Sequence, residues 1–457
     1  MDHLRGCRVV VIDDKPDEAE PIIRALGLRG IPVAYFKISP EDDPPQDPCP
    51  PGVRLAILDV ELGLNLTGEK QRVGYLLQVL KQVISKENGP YMVVLWTKYP
   101  AEKETFDEEI FLEDSLPNPV VSVMLEKLKY GNDLNAIGAK LEEELTKLAP
   151  FRILQFWEEA SFNAATEVTN LFCQIAESKA TNPDAWLTEW QTGVSRLVRA
   201  MASEEYGQGL SEPTSALAAF YTSLNPLHGD RMENLTGNPP DRIVQCAQEI
   251  LGAGDCSEEQ RARINTMLHI SAEPGTRPWA GKIYALPENG KWPHLPTRPD
   301  LVEEFLVANK PRDEEREEKK RWEKERDAVS KACAPVLVEV SPLCDHAQGK
   351  VRVLRLLAGL WVPTERRKLF KQPNDRKVGE FLWKLERLYL STGVPSPGVY
   401  DLYLSARLVY SFKRLEENDL AASLRLRTQA CTSLQAWFSA HAGRVGLFLL
   451  RPAEKTT

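Results

Sequence analysis

The sequence predicts an α/β protein of more than one domain, on three observations. Short β-branched runs alternate with amphipathic stretches from Cys7 to about Leu148, the pattern of a parallel sheet covered by helices on both faces. Beyond Pro150 that signal gives way to apolar residues at three- and four-residue spacing, which predicts helices. From Pro335 strand-like runs return, mixed with a helical stretch, as in an α+β unit. At 457 residues the chain exceeds one ordinary core. The expected division is an α/β domain over 1–150, a helical region over 151–332 and an α+β domain over 333–457.

Five runs predict the strands of the first domain: "CRVVVI", "IPVAYF", "VRLAILDV", "YMVVLW" and "PVVSVM". "VGYLLQVLKQVI" and "LNAIGAKLEEELTKL" have helical spacing. Between strands two and three, "SPEDDPPQDPCPPG" is too rich in proline to donate many backbone hydrogen bonds and reads as an exposed loop in place of a helix. "KYPAEKETFDEEIFLEDSLPN" reads as a second long loop between strands four and five. Helices are expected to about Ile270, then turns and at most a short strand through "EPGTRPWAGKIYALPENGKWPHLPTRP". Lys310 to Ala332 interleaves acids and bases at three- and four-residue spacing, which supports a solvated helix through weak ion pairs. "PVLVEV", "VYDLYLSARLVYSF" and "RVGLFLL" predict strands of the last domain, and "TSLQAWFSAHA" a helix.

Composition narrows the function classes. With 42% apolar and 27% charged residues the chain is globular rather than disordered. A net charge of −9, from 57 basic and 66 acidic residues, gives no footprint for duplex nucleic acid. No run reaches the roughly 18 apolar residues of a membrane span, and the N-terminus enters a strand almost at once; the expected location is the cytoplasm, with no membrane partner. Eight dispersed cysteines fit reduced thiols.

"VVVIDDKPDEAE", Val9 to Glu20, sets two aspartates against a buried run. In an open parallel sheet, function gathers beyond the carboxyl ends of the strands. Asp13 and Asp14 end the first strand and Asp59 ends the third, so three carboxylates would converge. Such a pair also suits a helix cap, but a hard cation such as Mg²⁺ takes oxygen ligands of this kind. Thr97 closes the fourth strand and Lys127 follows the fifth. A hydroxyl and an ammonium beside a metal-bound carboxylate are what a phosphoryl group on that carboxylate requires.

This order of acidic pair, acceptor aspartate, threonine and lysine resembles the receiver domain of bacterial two-component response regulators, over about the first 150 residues. The resemblance implies a flavodoxin-like sheet in which Asp13, Asp14 and Asp59 hold Mg²⁺ with the backbone carbonyl of Glu61. Asp59 would accept a phosphoryl group from a histidine kinase, Thr97 would turn toward it, and Lys127 would pair with it, Lys129 being the rival lysine. Receivers have proline after that lysine; here Leu128 follows it.

The remainder carries no helix-turn-helix, Walker loop, GxSxG elbow, HExxH helix or glycine-rich dinucleotide fingerprint. "VLVEVSPLCDHAQGK" offers Cys344 and His346, as metal ligands, as nucleophile and base, or as the polar residues of a strand-end turn. His228, Asp230 and Arg231 in "LNPLHGDRMENLTG" read as helix-end partners. The expected function is a non-enzymatic phosphoacceptor, catalysing only its own phosphorylation and dephosphorylation, that binds a histidine kinase and contacts other proteins through its middle and C-terminal regions. In architecture it resembles the response-regulator component of Detocs-type phage-defence systems, which implies a phosphate sink in antiviral defence. The alternatives are an effector using Cys344 and His346, and a pseudo-receiver scaffold.

Overall fold

The computed structural model describes residues 8–38, 49, 51–62, 66, 68–131, 133–176, 182–206, 213–252, 254–273, 279–286, 295–307, 316–342, 345–346, 351–373, 381–413, 420 and 422–442. The chain forms two compact units, Met1–Ala164 with Met232–Ala253, and Ala165–Arg231 with Gly254–Thr457.

The first unit is built on five parallel strands, β1 (Val9–Asp13), β2 (Ala34–Lys37), β3 (Leu55–Leu58), β4 (Met92–Thr97) and β5 (Val121–Glu126), in the order β2-β1-β3-β4-β5. Successive side chains of a strand point to opposite faces, so these strands feed two cores. Val9, Val11, Leu55, Ile57, Val94 and Trp96 face α1 (Pro16–Gly27), with Ala19, Ile22 and Leu26 buried against them. Val10, Ile12, Ala56, Leu58, Val93 and Leu95 face α2 (Glu69–Val83) and α3 (Glu102–Phe111). A short α4 (Lys127–Tyr130) and α5 (Leu134–Thr146) follow β5, and Ile137 and Leu141 of α5 join α1's face.

The stretch expected as a loop between β4 and β5 holds a helix instead. Phe106 and Ile110 lie one turn apart and are fully buried, so two side chains on one face fix α3 although most of its sequence is acidic. The proline-rich stretch between β2 and β3 lies outside the described residues, apart from Cys49, Pro51 and Gly52.

Helices α6 (Ala149–Ile175), α7 (Pro183–Tyr206), α8 (Pro213–Gly237), α9 (Asp241–Leu251) and α10 (Glu258–His269) follow. They form no third unit, the two compact units sharing them between them. The second unit's sheet is antiparallel, with seven strands in the order β10-β11-β9-β8-β7-β12-β6. Its strands are β6 (Ile270–Ser271), β7 (Lys282–Ala285), β8 (Ala334–Glu339), β9 (Val353–Pro363), β10 (Leu382–Leu390), β11 (Gly398–Lys413) and β12 (Ala422–Leu426). Two of them precede residue 333, so the boundary expected there falls inside this unit. One face packs on α11 (Arg298–Phe305) and α12 (Arg316–Ser330) through Leu301, Phe305, Trp322 and Val329. Trp322 and Val329, two turns apart and buried, make α12 a packed element rather than a wholly solvated one. The other face takes Ala430, Cys431 and Leu434 of the helix Thr428–Ala442. The expected strand "RVGLFLL" lies outside the described residues.

One irregularity of this sheet has an identifiable support. The β10 register shifts between Leu385 and Leu388, where Arg387 sits at φ 54°, a left-handed conformation that costs a non-glycine residue about 1–2 kcal/mol. The buried Asp401 accepts from the Arg387 N–H (2.8 Å) and the Thr364 hydroxyl (2.8 Å), and Lys384 lies 3.1 Å from its other oxygen.

At Gly359 in β9 a Cβ would lie 2.0 Å from the Tyr403 carbonyl oxygen and 2.6 Å from Leu404 Cδ2. The first obstacle is backbone, which cannot rotate aside. Gly359→Ala is expected to destabilise the second unit by about 3 kcal/mol, read as a lowered unfolding midpoint and faster amide exchange in β9 and β11.

Candidate phosphoacceptor site

Four strand ends set the site. β1 stops at Asp13 because Pro16 opens α1, and the Lys15 N–H turns back to donate to Asp13 Oδ1 (2.8 Å). The β1–β3 ladder runs one residue beyond β3, the Asp59 N–H donating to the Ile12 carbonyl (2.8 Å), which carries Asp59 to the side of Asp13. This is where the strand order reverses, β2 lying on one side of β1 and β3 on the other, the place where open α/β sheets gather function.

Asp13, Asp14 and Asp59 each present a carboxylate oxygen within 4.8 Å of the others. Asp13 and Asp59 are buried, at 0% and 3% exposure. Between them lies Lys127, the first residue after β5, its Nζ 2.8 Å from Asp59 Oδ2, 3.0 Å from Asp13 Oδ2 and 2.9 Å from Glu18 Oε2. The structure thus distinguishes the two lysines: Lys127 enters the cluster, while Lys129 lies 5.7 Å from the ring centre of Tyr130. Asp14 Oδ1 is buried with no hydrogen-bond partner among the described residues. An unpaired buried carboxylate oxygen is costly, so this atom suits a cation as its partner.

The charges do not balance. Burial lifts the Asp13 carboxyl above its ordinary range, and neighbouring Asp14 adds to this against the pull of Lys127. Burial likewise pushes Asp59 up to about 6, Asp13 reinforcing and Lys127 opposing it. Lys127 moves the other way to theirs in charge: burial alone would lower its pKa, but Asp59 and Asp13 outweigh it and hold the ammonium charged. One ammonium among three carboxylates leaves room for further positive charge.

Thr97 ends β4 and is buried, and its Oγ1 accepts from the Tyr99 N–H (3.0 Å). Glu61 follows Asp59 closely enough for its N–H to donate to Asp59 Oδ1 (3.3 Å), while its carboxylate accepts from the Tyr99 hydroxyl (3.3 Å). Arg72 of α2 lies 5.4 Å from the centre of the Tyr99 ring, pairs with the buried Glu102 and donates to the Leu66 carbonyl (2.9 Å). The loops after β3 and β4 are therefore tied together.

Sequence reasoning missed Glu18 and Lys98. Glu18 Oε1 accepts from Lys98 Nζ (2.8 Å) and lies 3.6 Å from Lys15 Nζ, and its backbone carbonyl accepts from the Trp96 indole (2.9 Å). Against the upward push of partial burial, Lys98 and Lys127 bring its carboxyl down to about 2. The available signal was its place four residues past Asp14, in the first turn of α1.

The other candidates stand apart. His346 Nε2 lies 2.8 Å from Glu339 Oε2, both side chains being fully buried, and Glu339 Oε1 accepts from the Ser341 N–H (3.0 Å). Cys344 lies outside the described residues. His228, Asp230 and Arg231 fall inside α8 rather than at its end, and Arg231 lies 3.7 Å from Glu167. No helix among the described residues is long and apolar enough to cross a membrane.

No protein-family model matches the chain, and comparison with curated proteins and with solved structures finds no match. The site is therefore read from its own geometry.

That geometry sets a pH dependence. At Asp59 the folded state keeps a proton that the unfolded chain releases near pH 4. Its contribution to stability is complete below about pH 4 and is lost as pH rises through about 6. Without divalent cation, Asp59→Asn is expected to be more stable than wild type at pH 7 by about 1–3 kcal/mol. The two should converge near pH 4, read by amide exchange of β1 and β3 peptides at matched pH.

Proposed function

We propose that the first unit is a receiver that accepts a phosphoryl group on Asp59, with Mg²⁺ as its cofactor and a histidine kinase as the donor. The observation that carries this reading is the meeting of Asp13, Asp14, Asp59 and Lys127 at the carboxyl edge of a sheet in the order β2-β1-β3-β4-β5, an order that flavodoxin-like proteins share.

The donor set fits Mg²⁺. All three groups are hard oxygens, and their 4.8 Å spread is close to the roughly 4.2 Å that spans two opposite Mg–O bonds. Asp13, Asp14 and Asp59 would hold the ion with the Glu61 carbonyl and water. When bound, it supplies positive charge to the oxygens of the transferring group.

The chain's own residues do the rest. An Asp59 carboxylate oxygen attacks phosphorus; the P–N bond of the phosphohistidine breaks, and the imidazole leaves with the electron pair and is protonated. Lys127, already 2.8 Å from Asp59 Oδ2, keeps its charge for the three phosphoryl oxygens that arrive. Thr97 would exchange its contact with the Tyr99 N–H for one of those oxygens. For output we propose absorption of the phosphoryl group, a phosphate sink in antiviral defence, acting in the cytoplasm. In support, each of the second unit's two fully buried acids among the described residues faces a base, Glu339 with His346 and Asp401 with Lys384, so we assign that unit contact surfaces rather than chemistry.

The test is labelling of the purified chain by acetyl phosphate or a phosphorylated kinase with Mg²⁺. Wild type should gain a base-labile phosphate and Asp59→Asn none; undiminished labelling of Asp59→Asn would remove the acceptor. Lys127→Met separates two roles of its ammonium. It should slow labelling at least about 10-fold, through lost charge at the phosphoryl group, yet tighten Mg²⁺ binding measured by calorimetry, because a competing cation has gone. Lys129→Met should match wild type within about twofold in both.

A further inference from the structure

An ammonium has three donors, and on Lys127 all three are taken by carboxylates, Asp59 at 2.8 Å, Glu18 at 2.9 Å and Asp13 at 3.0 Å. Glu18 differs from the other two. It comes from the first turn of α1 rather than from a strand end, and its side chain is 23% exposed where those of Asp13 and Asp59 are 0% and 3% exposed. Its second oxygen is bound to Lys98 at 2.8 Å and lies 3.6 Å from Lys15. One partly exposed carboxylate thus bridges three lysines on the rim of the site.

Lys127 is the ammonium on Asp59 itself, and Lys15 and Lys98 are linked to it through Glu18. Lys98 follows Thr97 directly in sequence, and Lys15 follows the acidic pair. While Glu18 holds them, part of their charge is offset and one donor each of Lys127 and Lys98 is occupied. It is also the partner best able to leave. Its backbone is fixed by the Trp96 indole on its carbonyl (2.9 Å), but the side chain can turn to water by rotation alone, whereas Asp13 and Asp59 have no solvent to turn to.

We propose that Glu18 is an internal counter-anion of the phosphoacceptor site, holding Lys127 and Lys98 until a phosphoryl group on Asp59 displaces it. The inference rests on the phosphoacceptor reading and adds to it a residue that sets the site's affinity for phosphate-like anions. In the transfer itself the new bond is Asp59 Oδ to phosphorus and the broken one is phosphorus to the donor, which leaves with its electron pair. Glu18 takes no part in that exchange. It is a positioning residue, and its effect falls on how readily the anion is received.

The experiment compares wild type, Glu18→Gln, Glu18→Ala and Glu20→Gln. Glutamine keeps an oxygen for the lysines and removes only the charge; alanine removes both. With Mg²⁺ present, both Glu18 variants are expected to bind fluoroberyllate roughly 3- to 10-fold more tightly than wild type by calorimetry. They should also reach half-maximal labelling at a correspondingly lower acetyl phosphate concentration. Maximal labelling rates should stay within about twofold, a split that a general loosening of the site would not produce. Glu20→Gln serves as the control, because Glu20 lies on the same helix, is exposed and is 3.7 Å from Arg24; its affinity should match wild type within about twofold. If wild type binds fluoroberyllate and is labelled on Asp59, but the Glu18 variants bind no more tightly, the counter-anion role is wrong and the receiver reading stands. If wild type neither binds fluoroberyllate nor is labelled, the receiver reading falls and takes this inference with it.

Discussion

The repulsion among Asp13, Asp14 and Asp59, answered by one lysine, is the constraint around which the first unit is arranged. The backbone holds them together through the β1–β3 ladder, whose Asp59 N–H to Ile12 carbonyl bond extends the pairing to the residue that matters. Two apolar cores, one on each face of the sheet, supply the free energy that keeps two acids buried at its edge. Each fully buried Val, Ile or Leu contributes about 1.5–3 kcal/mol. Lys127 opposes the cost of burial and the repulsion without cancelling them, since burial first and Asp13 second still lift Asp59 to about 6. What remains is uncompensated negative charge at the sheet edge, which under the proposed reading favours a divalent cation.

The first unit was readable because its strands are buried on both sides. Residues such as Val9 to Ile12 are apolar without interruption, and the acids stand where the run stops, so strand ends and candidate ligands were found together. The α3 helix escaped because its face rests on Phe106 and Ile110 amid acids. Glu18 escaped for a different reason. Acids in the first turn of a helix are favoured by its dipole, so nothing local distinguishes one that also bridges three lysines; only the return of β4 and β5 beside α1 does that.

The second unit was harder to read for reasons that lie in its strands. In β10, "LWKLERLYL", Leu382, Leu385, Leu388 and Tyr389 fall at three- and four-residue spacing, which imitates a helix. The bulge between Leu385 and Leu388 explains it: an inserted residue shifts the side-chain alternation, and period two becomes period three at that point. In β9, Leu356 to Val362 are buried on both sides of the sheet, so alternation gives no signal. The charged run before β8 drew the domain boundary to residue 333, yet Trp322 and Val329 within it are core. Charge density on the outer face of α12 concealed a narrow apolar stripe.

Buried acids occur in both units, and the contrast between them separates architecture from chemistry. Asp401 has its charge met by Lys384 and one oxygen filled by the Arg387 N–H and the Thr364 hydroxyl. That is the set of partners needed to hold a bulge with one residue at positive φ. Glu339 is closed in the same way by His346 and the Ser341 N–H. A buried ion pair of this kind does little for net stability, but removing one partner is expensive, so it fixes a conformation. At the edge of the first sheet the count differs: Asp13, Asp59 and Glu18 share one ammonium, and Asp14 adds a carboxylate oxygen within 4.8 Å of Asp13 and Asp59. A fold that needed only a clasp between β1, β3 and β5 would reach lower free energy with one acid and one base. The surplus of negative charge is a cost to the fold that a cation would relieve, and that cost is the physical ground of the proposed site.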